Sequence, residues 1–179
     1  MNPDYSDMFR TLHPDYFERE SIRSLPPEEV FEEQLLDLHT FDPNAVKVPC
    51  PANITFGLYQ GSFEDILPIV EAIDDSWLEF FHPEMELYCA YDNDRVVGLC
   101  VLEDFGEYAG HTIAGPGCIG TLAEYRRQGI GLSLVQKSTA ILKERSYDLG
   151  YIHYTSFAKL FGRVGYKTVL RWNAGGIVE

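Results

Sequence analysis

Two arginines and two glycines fall within six residues, Arg126-Arg127-Gln128-Gly129-Ile130-Gly131. The residues before them, Cys118 to Leu122, alternate small and apolar as a strand does. Those after, from about Ile130 to Arg145, set Leu132, Leu134, Val135, Ala140, Ile141 and Leu142 at helical spacing. A strand that enters a helix through glycines leaves the first helical N–H groups unpaired and pointing outward, where they and the helix dipole hold a phosphate. Arg126 and Arg127 add positive charge beside that nest, so the chemistry expected here is anion binding.

The elements that must position the nest read clearly from Ile54 onward. Ile54 to Tyr59 alternates as a strand, and Ser62, followed by Glu64 and Asp65, opens an amphipathic helix through Ile73. Asp74-Asp75-Ser76 starts a second helical piece that ends near Phe81. Met85 to Tyr91 and Arg95 to Glu103 are strands joined by the turn Asp92-Asn93-Asp94. A loop, Phe105 to Gly110, precedes a long strand from His111 to Leu122, in which Gly115-Pro116-Gly117 predicts a bulge or break. After the nest and its helix come a strand at Tyr151 to Tyr154, a helix from Ser156 to Val164 stopped by Gly165, and a strand from Lys167 to Trp172. Residues 1–50 read as an N-terminal helical extension, with helices at Pro14 to Leu25 and Pro27 to Leu38. The second carries Val30, Phe31, Leu35 and Leu38 as an apolar stripe to be covered by its own domain or by a second copy, which makes a homodimer an expectation. Asp42-Pro43-Asn44 and Pro49-Cys50-Pro51 then mark a boundary, leaving residues 51–179 as the main domain.

Composition narrows the function classes. A chain of 179 residues with 45% hydrophobic side chains suits a globular core. No apolar run approaches the roughly 20 residues that span a bilayer, and the first residues lack the basic and apolar regions of a signal peptide, so a cytoplasmic protein without membrane partners is expected. Cys50, Cys89, Cys100 and Cys118 form no Cys-x-x-Cys pair; buried thiols are expected, with no metal site. Charge is divided along the chain: residues 1–110 hold 24 of the 28 acidic side chains and only five of the 14 Lys and Arg residues. An acidic front disfavours nucleic acid as a partner and suits a cationic substrate, while the basic rear suits an anionic cofactor.

Several glycine motifs compete for the nest. A Walker loop ends in Gly-Lys-Ser/Thr and is excluded. A dinucleotide fingerprint needs a third glycine where Leu134 stands. Arg/Gln-x-x-Gly-x-Gly between a strand and a helix resembles instead the pattern of the GNAT superfamily of N-acetyltransferases. The resemblance covers about Ile54 to Trp172 and includes a second segment, Tyr154-Thr-Ser-Phe-Ala-Lys-Leu-Phe-Gly-Arg-Val-Gly-Tyr166, similar to the family's late strand-to-helix passage. It implies an α/β (α+β) fold in which a mixed, mostly antiparallel central sheet is flanked by helices, with its central strands splayed to admit the pantetheine arm of acetyl-CoA.

The resemblance also implies roles. The backbone of Gly120, Thr121 and Leu122 would bond the pantetheine, and Arg126, Arg127, Gln128, Gly129, Ile130 and Gly131, with Leu132 and Ser133, would cradle the pyrophosphate. The implied reaction moves the acyl group to the amine of a small molecule or cationic peptide. Such a transfer needs a neutral amine, a stabilised oxyanion and a proton for the departing thiolate. A backbone N–H near Leu122 is the expected oxyanion donor. The family's usual tyrosine acid matches Phe161 here, which cannot donate; Tyr154 is the first substitute, with Tyr166 and water as others. Glu103 is the first choice of base because it ends a strand, ahead of Asp104, Glu107 and His111. The alternative reading is an acyl-CoA-binding regulatory or interaction module without turnover.

Overall fold

The computed structural model describes residues 4–178. Eight strands form one sheet in the order β2-β3-β4-β5-β6-β1-β7-β8, with β1 at Phe31–Asp37, β2 at Ile54–Leu58, β3 at Glu86–Asp92, β4 at Arg95–Tyr108, β5 at His111–Thr121, β6 at Leu149–Thr155, β7 at Lys167–Asn173 and β8 at Gly176–Ile177. All neighbours run antiparallel except β5 and β6, which are parallel and pair only at Ile113 with Leu149 and Ala114 with Gly150. Beyond that point the two central strands part. A mixed, mostly antiparallel sheet with splayed central strands is therefore the observed fold.

Helices cover both faces. On one lie α4 (Ile130–Glu144) and the short α5 (Ala158–Gly162); Ile130 and Leu134 pack on Tyr88, Ala90 and Cys100, while Leu132 and Val135 meet Ile152 and Phe161. On the other lie α3 (Phe63–Ile73) and an N-terminal layer made of α1 (Tyr5–Leu12), a single turn at Tyr16–Glu18 and α2 (Glu20–Arg23). Ile66 and Val70 of α3 cover Leu87, Cys89, Leu99 and Val101, and Phe9, Tyr16 and Ile22 cover Phe31, Leu170 and Trp172. Each large apolar side chain so buried contributes about 1.5–3 kcal/mol relative to exposure. Ser62 starts α3 as expected, its side-chain oxygen accepting from Asp65 N–H at 3.2 Å.

The principal correction concerns residues 1–50. The helix expected over Pro27 to Leu38 is β1, and it lies between β6 and β7, paired to both. Phe31, Leu35 and Leu38 are buried inside the chain, so three of the four apolar residues of the expected stripe are covered by their own domain, and Val30 is 45% exposed. A strand buried on both faces need not alternate, and the apolar positions of this segment fit either period. The helix expected over Pro14 to Leu25 is broken into the turn at Tyr16–Glu18 and α2. The loop expected at Phe105 to Gly110 is mostly strand, because β4 and β5 continue as a hairpin turned at Ala109 and Gly110, both with positive φ. Among the described residues no helix is long and apolar enough to cross a membrane. All four cysteines are free; Cys89 and Cys100 are buried, Cys50 and Cys118 half-buried.

Candidate active site

The nest forms as its glycines predict. Arg127 has φ +61° and Gly129 φ +84°, so the chain turns through left-handed geometry twice before α4 begins. A Cβ on Gly129 would stand 1.8 Å from the Pro49 carbonyl oxygen, which leaves glycine as the residue that fits. No side chain caps the helix, and its first amide bonded back into the helix is that of Ser133, to the Gly129 carbonyl. The N–H groups of the preceding turn remain open to a ligand.

That helix end opens on a cleft of about 670 Å³ lined by Gly120 and Thr121 of β5, by Arg126, Arg127, Gly129, Ile130, Gly131 and Leu132, and by Ile73, Trp77 and Phe161. The backbone of Gly120 is approached closely: a Cβ there would lie 2.2 Å from Ile73 Cγ2 and 3.0 Å from Trp77 Cη2. β5 carries a bulge beside it. Leu99 pairs with Gly120 and Val101 with Gly117, so β5 has one residue more than β4 in that interval, and Cys118 takes φ +45° to accommodate it. A bulge interrupts the ladder and turns backbone groups toward the open side, here into the gap between β5 and β6. The strand thus continues through Gly115-Pro116-Gly117, and its irregularity lies one residue later.

Three residues expected at the cofactor are not part of the cleft lining. The Leu122 N–H donates to the Val97 carbonyl at 2.9 Å and so continues the sheet ladder, which also removes it as an oxyanion donor. Ser133 is buried, one turn into α4, with its amide already bonded. Gln128 turns back to the Glu124 carbonyl at 3.2 Å. Arg126 lines the cleft, but its guanidinium donates to the carbonyls of Thr121 at 3.1 Å and Ile73 at 3.4 Å, tying the end of β5 to the end of α3. The cation missed from sequence is Arg163, which lines the cleft from the residue after α5, together with Phe157, 68% exposed, and Leu160. The only signal for Arg163 was its place in the basic rear of the chain.

The candidates for proton transfer separate. Tyr154, at φ +55°, stacks on Phe31 at 4.5 Å and Trp172 at 5.2 Å and is not part of the cleft wall. Tyr166 is buried against Thr139 at 2.9 Å, and burial pushes its pKa up. Asp104 is spent on the Gly106 N–H at 2.8 Å and the Tyr147 hydroxyl at 3.1 Å. Glu107 and His111 lie at the far end of the hairpin. Glu103 is better placed: its Oε2 lies 3.5 Å from where a Cβ on Gly117 would stand, beside the parting of β5 and β6. Its carboxyl meets solvent on one side, yet partial loss of hydration raises its pKa, opposed by His153 and His82. Burial pushes the nearby Cys118 thiol up to about 12, so it is no nucleophile at neutral pH.

The geometry is that of parted parallel strands leading to an uncapped helix, and the comparisons agree with it. The family of the acetyltransferase (GNAT) domain matches residues 83–168. Residues 83–168 thus carry the likeness to a GNAT acetyltransferase domain. GNAT folds also head its structural likenesses, although no curated protein matches the sequence. The GCN5-related glucosamine N-acetyltransferase region of a fungal multi-domain beta-N-acetylglucosaminidase is 20% identical with a TM-score of 0.66, over 81% of this chain and 20% of that one. A GCN5-related N-acetyltransferase from Sphaerobacter thermophilus is 20% identical at 0.59, over 83% and 51%. A tandem GNAT protein from the clavulanic acid biosynthesis pathway is 18% identical at 0.56, over 80% and 51%. The chain spans about half the length of the latter two and a fifth of the first.

Proposed function

We propose that this GNAT protein transfers an acyl group, acetyl foremost, from acyl-CoA to the amine of a small molecule or cationic peptide, and that it works in the cytoplasm. One observation carries the reading: a single cleft joins the uncapped start of α4 to the bulged edge of β5 at Gly120, where β5 and β6 have parted. The residues fit the ligand. Open amides of the helix start, with Arg127 and Arg163, suit the pyrophosphate, and the Gly120 backbone, free of a side chain, suits a pantetheine arm lying along the strand. When bound, acyl-CoA supplies an activated thioester carbonyl. The protein holds the acceptor against it, and that positioning supplies much of the rate.

Glu103 sits on the face opposite α4, at the parting of the strands, and in this reading it holds the acceptor as an ammonium ion. The acidic first 110 residues favour approach of such a cation. With Phe161 in the cleft wall and Tyr154 stacked outside it, the proton for the thiolate comes from water. Calorimetry with acetyl-CoA, followed by mass spectrometry of products over a panel of polyamines, amino sugars and lysine peptides, tests the proposal. Binding at micromolar levels with an acetylated product is expected; absence of binding to acetyl-CoA and longer acyl-CoAs overturns it. Phe161 favours a second reading, an acyl-CoA-binding module, which predicts binding without any product.

A further inference from the structure

Glu33 is fully buried on the interior strand β1, and its carboxylate receives four donors. The Tyr151 hydroxyl donates to Oε2, Trp172 Nε1 donates to Oε1 at 2.6 Å, and Tyr154 N–H donates to Oε1 at 3.2 Å. The fourth is His153 Nδ1, 3.0 Å from Oε2 and 3.1 Å from Oε1. A carboxylate buried at the cost of its hydration needs such an array, but tyrosine and tryptophan alone would give structural support. The histidine adds chemistry. With Nδ1 donating to an acceptor-only carboxylate, the imidazole proton is assigned to Nδ1 by this network, and the lone pair lies on Nε2. Nε2 has no hydrogen-bond partner among the described residues, and the side chain retains 21% of its accessibility.

His153 also stands in a telling place. Tyr151 and His153 share the face of β6 opposite α4; the Tyr151 carbonyl crowds Gly115 where the strands part, and His153 is the next residue on that face. Glu103 occupies the facing bank above Gly117, and the two groups interact electrostatically. The ring is held firmly: His13 stacks on it with centroids 3.9 Å apart and planes 15° from parallel, Tyr16 meets it edge-on at 5.2 Å and Phe105 at 6.4 Å. The titratable or charged groups around it are Glu33 on β1, His13, Tyr16 and, next to them, Arg19 from the N-terminal layer, Glu103 on β4, and Tyr151 and Tyr154 on its own strand. His13, Glu33 and His153 also bring ligand atoms within 4.8 Å of one another, as a metal site would. Yet near-parallel stacked rings direct their in-plane lone pairs side by side, whereas ligation needs them to converge.

We propose that His153 is the general base of the acyl transfer, with Glu33 as its positioning residue and Glu103 as the group that holds the acceptor ammonium. The proposal rests on the acyltransferase reading above. An N–H bond of the acceptor ammonium breaks and its proton goes to His153 Nε2; the nitrogen pair so freed forms the bond to the acyl carbon, the carbon–sulfur bond breaks with its pair leaving on the CoA thiolate, and the nitrogen's second proton reaches that thiolate through water. The imidazolium is balanced by the Glu33 carboxylate and returns its proton to water. This assigns the sheet's buried acid and the N-terminal layer to catalysis, roles no motif in the chain announces.

The test compares wild type with His153→Asn and His153→Gln, whose amides preserve a donor toward Glu33 but supply no base, and with Glu103→Gln. Acetyl-CoA affinity by calorimetry and melting temperature are measured beside kcat and KM. The acceptors are an alkylamine, protonated at neutral pH, and an alkoxyamine, neutral there. In His153→Asn we expect acetyl-CoA affinity within twofold of wild type, kcat for the alkylamine lower by about 10²- to 10⁴-fold, and a much smaller loss for the alkoxyamine. Glu103→Gln should chiefly raise KM for the alkylamine. Should His153→Asn fail to fold, His153→Gln and the ¹⁵N shifts of His153 in wild type decide: a proton on Nδ1 at neutral pH supports the assignment, and one on Nε2 overturns it. Alkylamine turnover within threefold of wild type in either variant overturns the proposal while leaving the acyltransferase reading intact. So does stoichiometric zinc or iron in the purified protein whose chelation abolishes turnover. A wild type that binds no acyl-CoA defeats the underlying reading instead.

Discussion

Gly129 and Gly131 stand two residues apart in one motif and do different work. Gly129 has φ +84° and backs onto the Pro49 carbonyl, so Gly129→Ala should cost at least about 1–2 kcal/mol from left-handed geometry alone. Denaturant unfolding measures it. Around Gly131 the nearest atom to an added Cβ is Thr121 Oγ1 at 3.7 Å, across the cleft wall. Gly131→Ala should leave the melting temperature unchanged or slightly higher and weaken acetyl-CoA binding about tenfold, or ~1.4 kcal/mol, as read by calorimetry. His13 offers a pH signature. Burial first, then His153 and Arg19, lower its pKa from 6.5 to about 3. The unfolded chain therefore binds the proton that the folded chain refuses, and His13 favours the folded state fully above pH 6.5 and progressively less as pH falls toward 3. Between pH 6.5 and 5 the stability of wild type should fall by up to about 1.4 kcal/mol per pH unit more steeply than that of His13→Leu, in urea titrations at each pH. At this scale the glycine motif was legible because its chemistry is local; Glu33 and His153 lie 120 residues apart and met only on folding.

Among the elements, β1 is the one whose identity changes the account. Removing residues 1–50, which on sequence grounds should leave a working domain, would strip the partner from β6 and β7 and leave Trp172, Tyr151 and His153 without their buried acceptor. We expect residues 51–179 alone to show no cooperative unfolding transition by circular dichroism, whereas a chain lacking an exposed surface loop would keep it. The strands and helices from Ile54 onward were readable because each alternation or cap acts over a few residues, as Ser62 does for α3. β1 was not, since Phe31, Leu35 and Leu38 satisfy a helical period and only the two neighbouring strands favour the extended form. The hairpin at Ala109 and Gly110 was missed for a like reason: its polar residues suit a loop, and pairing of β4 with β5 overrides that preference.

Over the whole molecule, charge and layering divide the labour. Arg126, Arg127 and Arg163 gather at the cleft in a chain of net charge −14, so the acyl-CoA proposed above would meet one basic patch on an acidic body. Raising salt from 0.05 to 0.5 M should weaken acetyl-CoA binding roughly threefold to tenfold, and Arg163→Ala should both lower affinity and flatten that dependence in calorimetric titrations. The N-terminal layer covers the face opposite α4, with His13 and Tyr16 against His153. What the sequence by itself determined was the glycine turn before α4, the succession of most elements and the resemblance to GNAT folds, because short-range periodicity, turn chemistry and motif spacing are written in consecutive residues. Only the tertiary structure decided that β1 completes the sheet, that Leu122, Gln128 and Ser133 turn away from the cleft, and that Glu33 meets His153. Those outcomes depend on which backbone groups and side chains find partners far along the chain, and burial settles that competition only once the layers have packed.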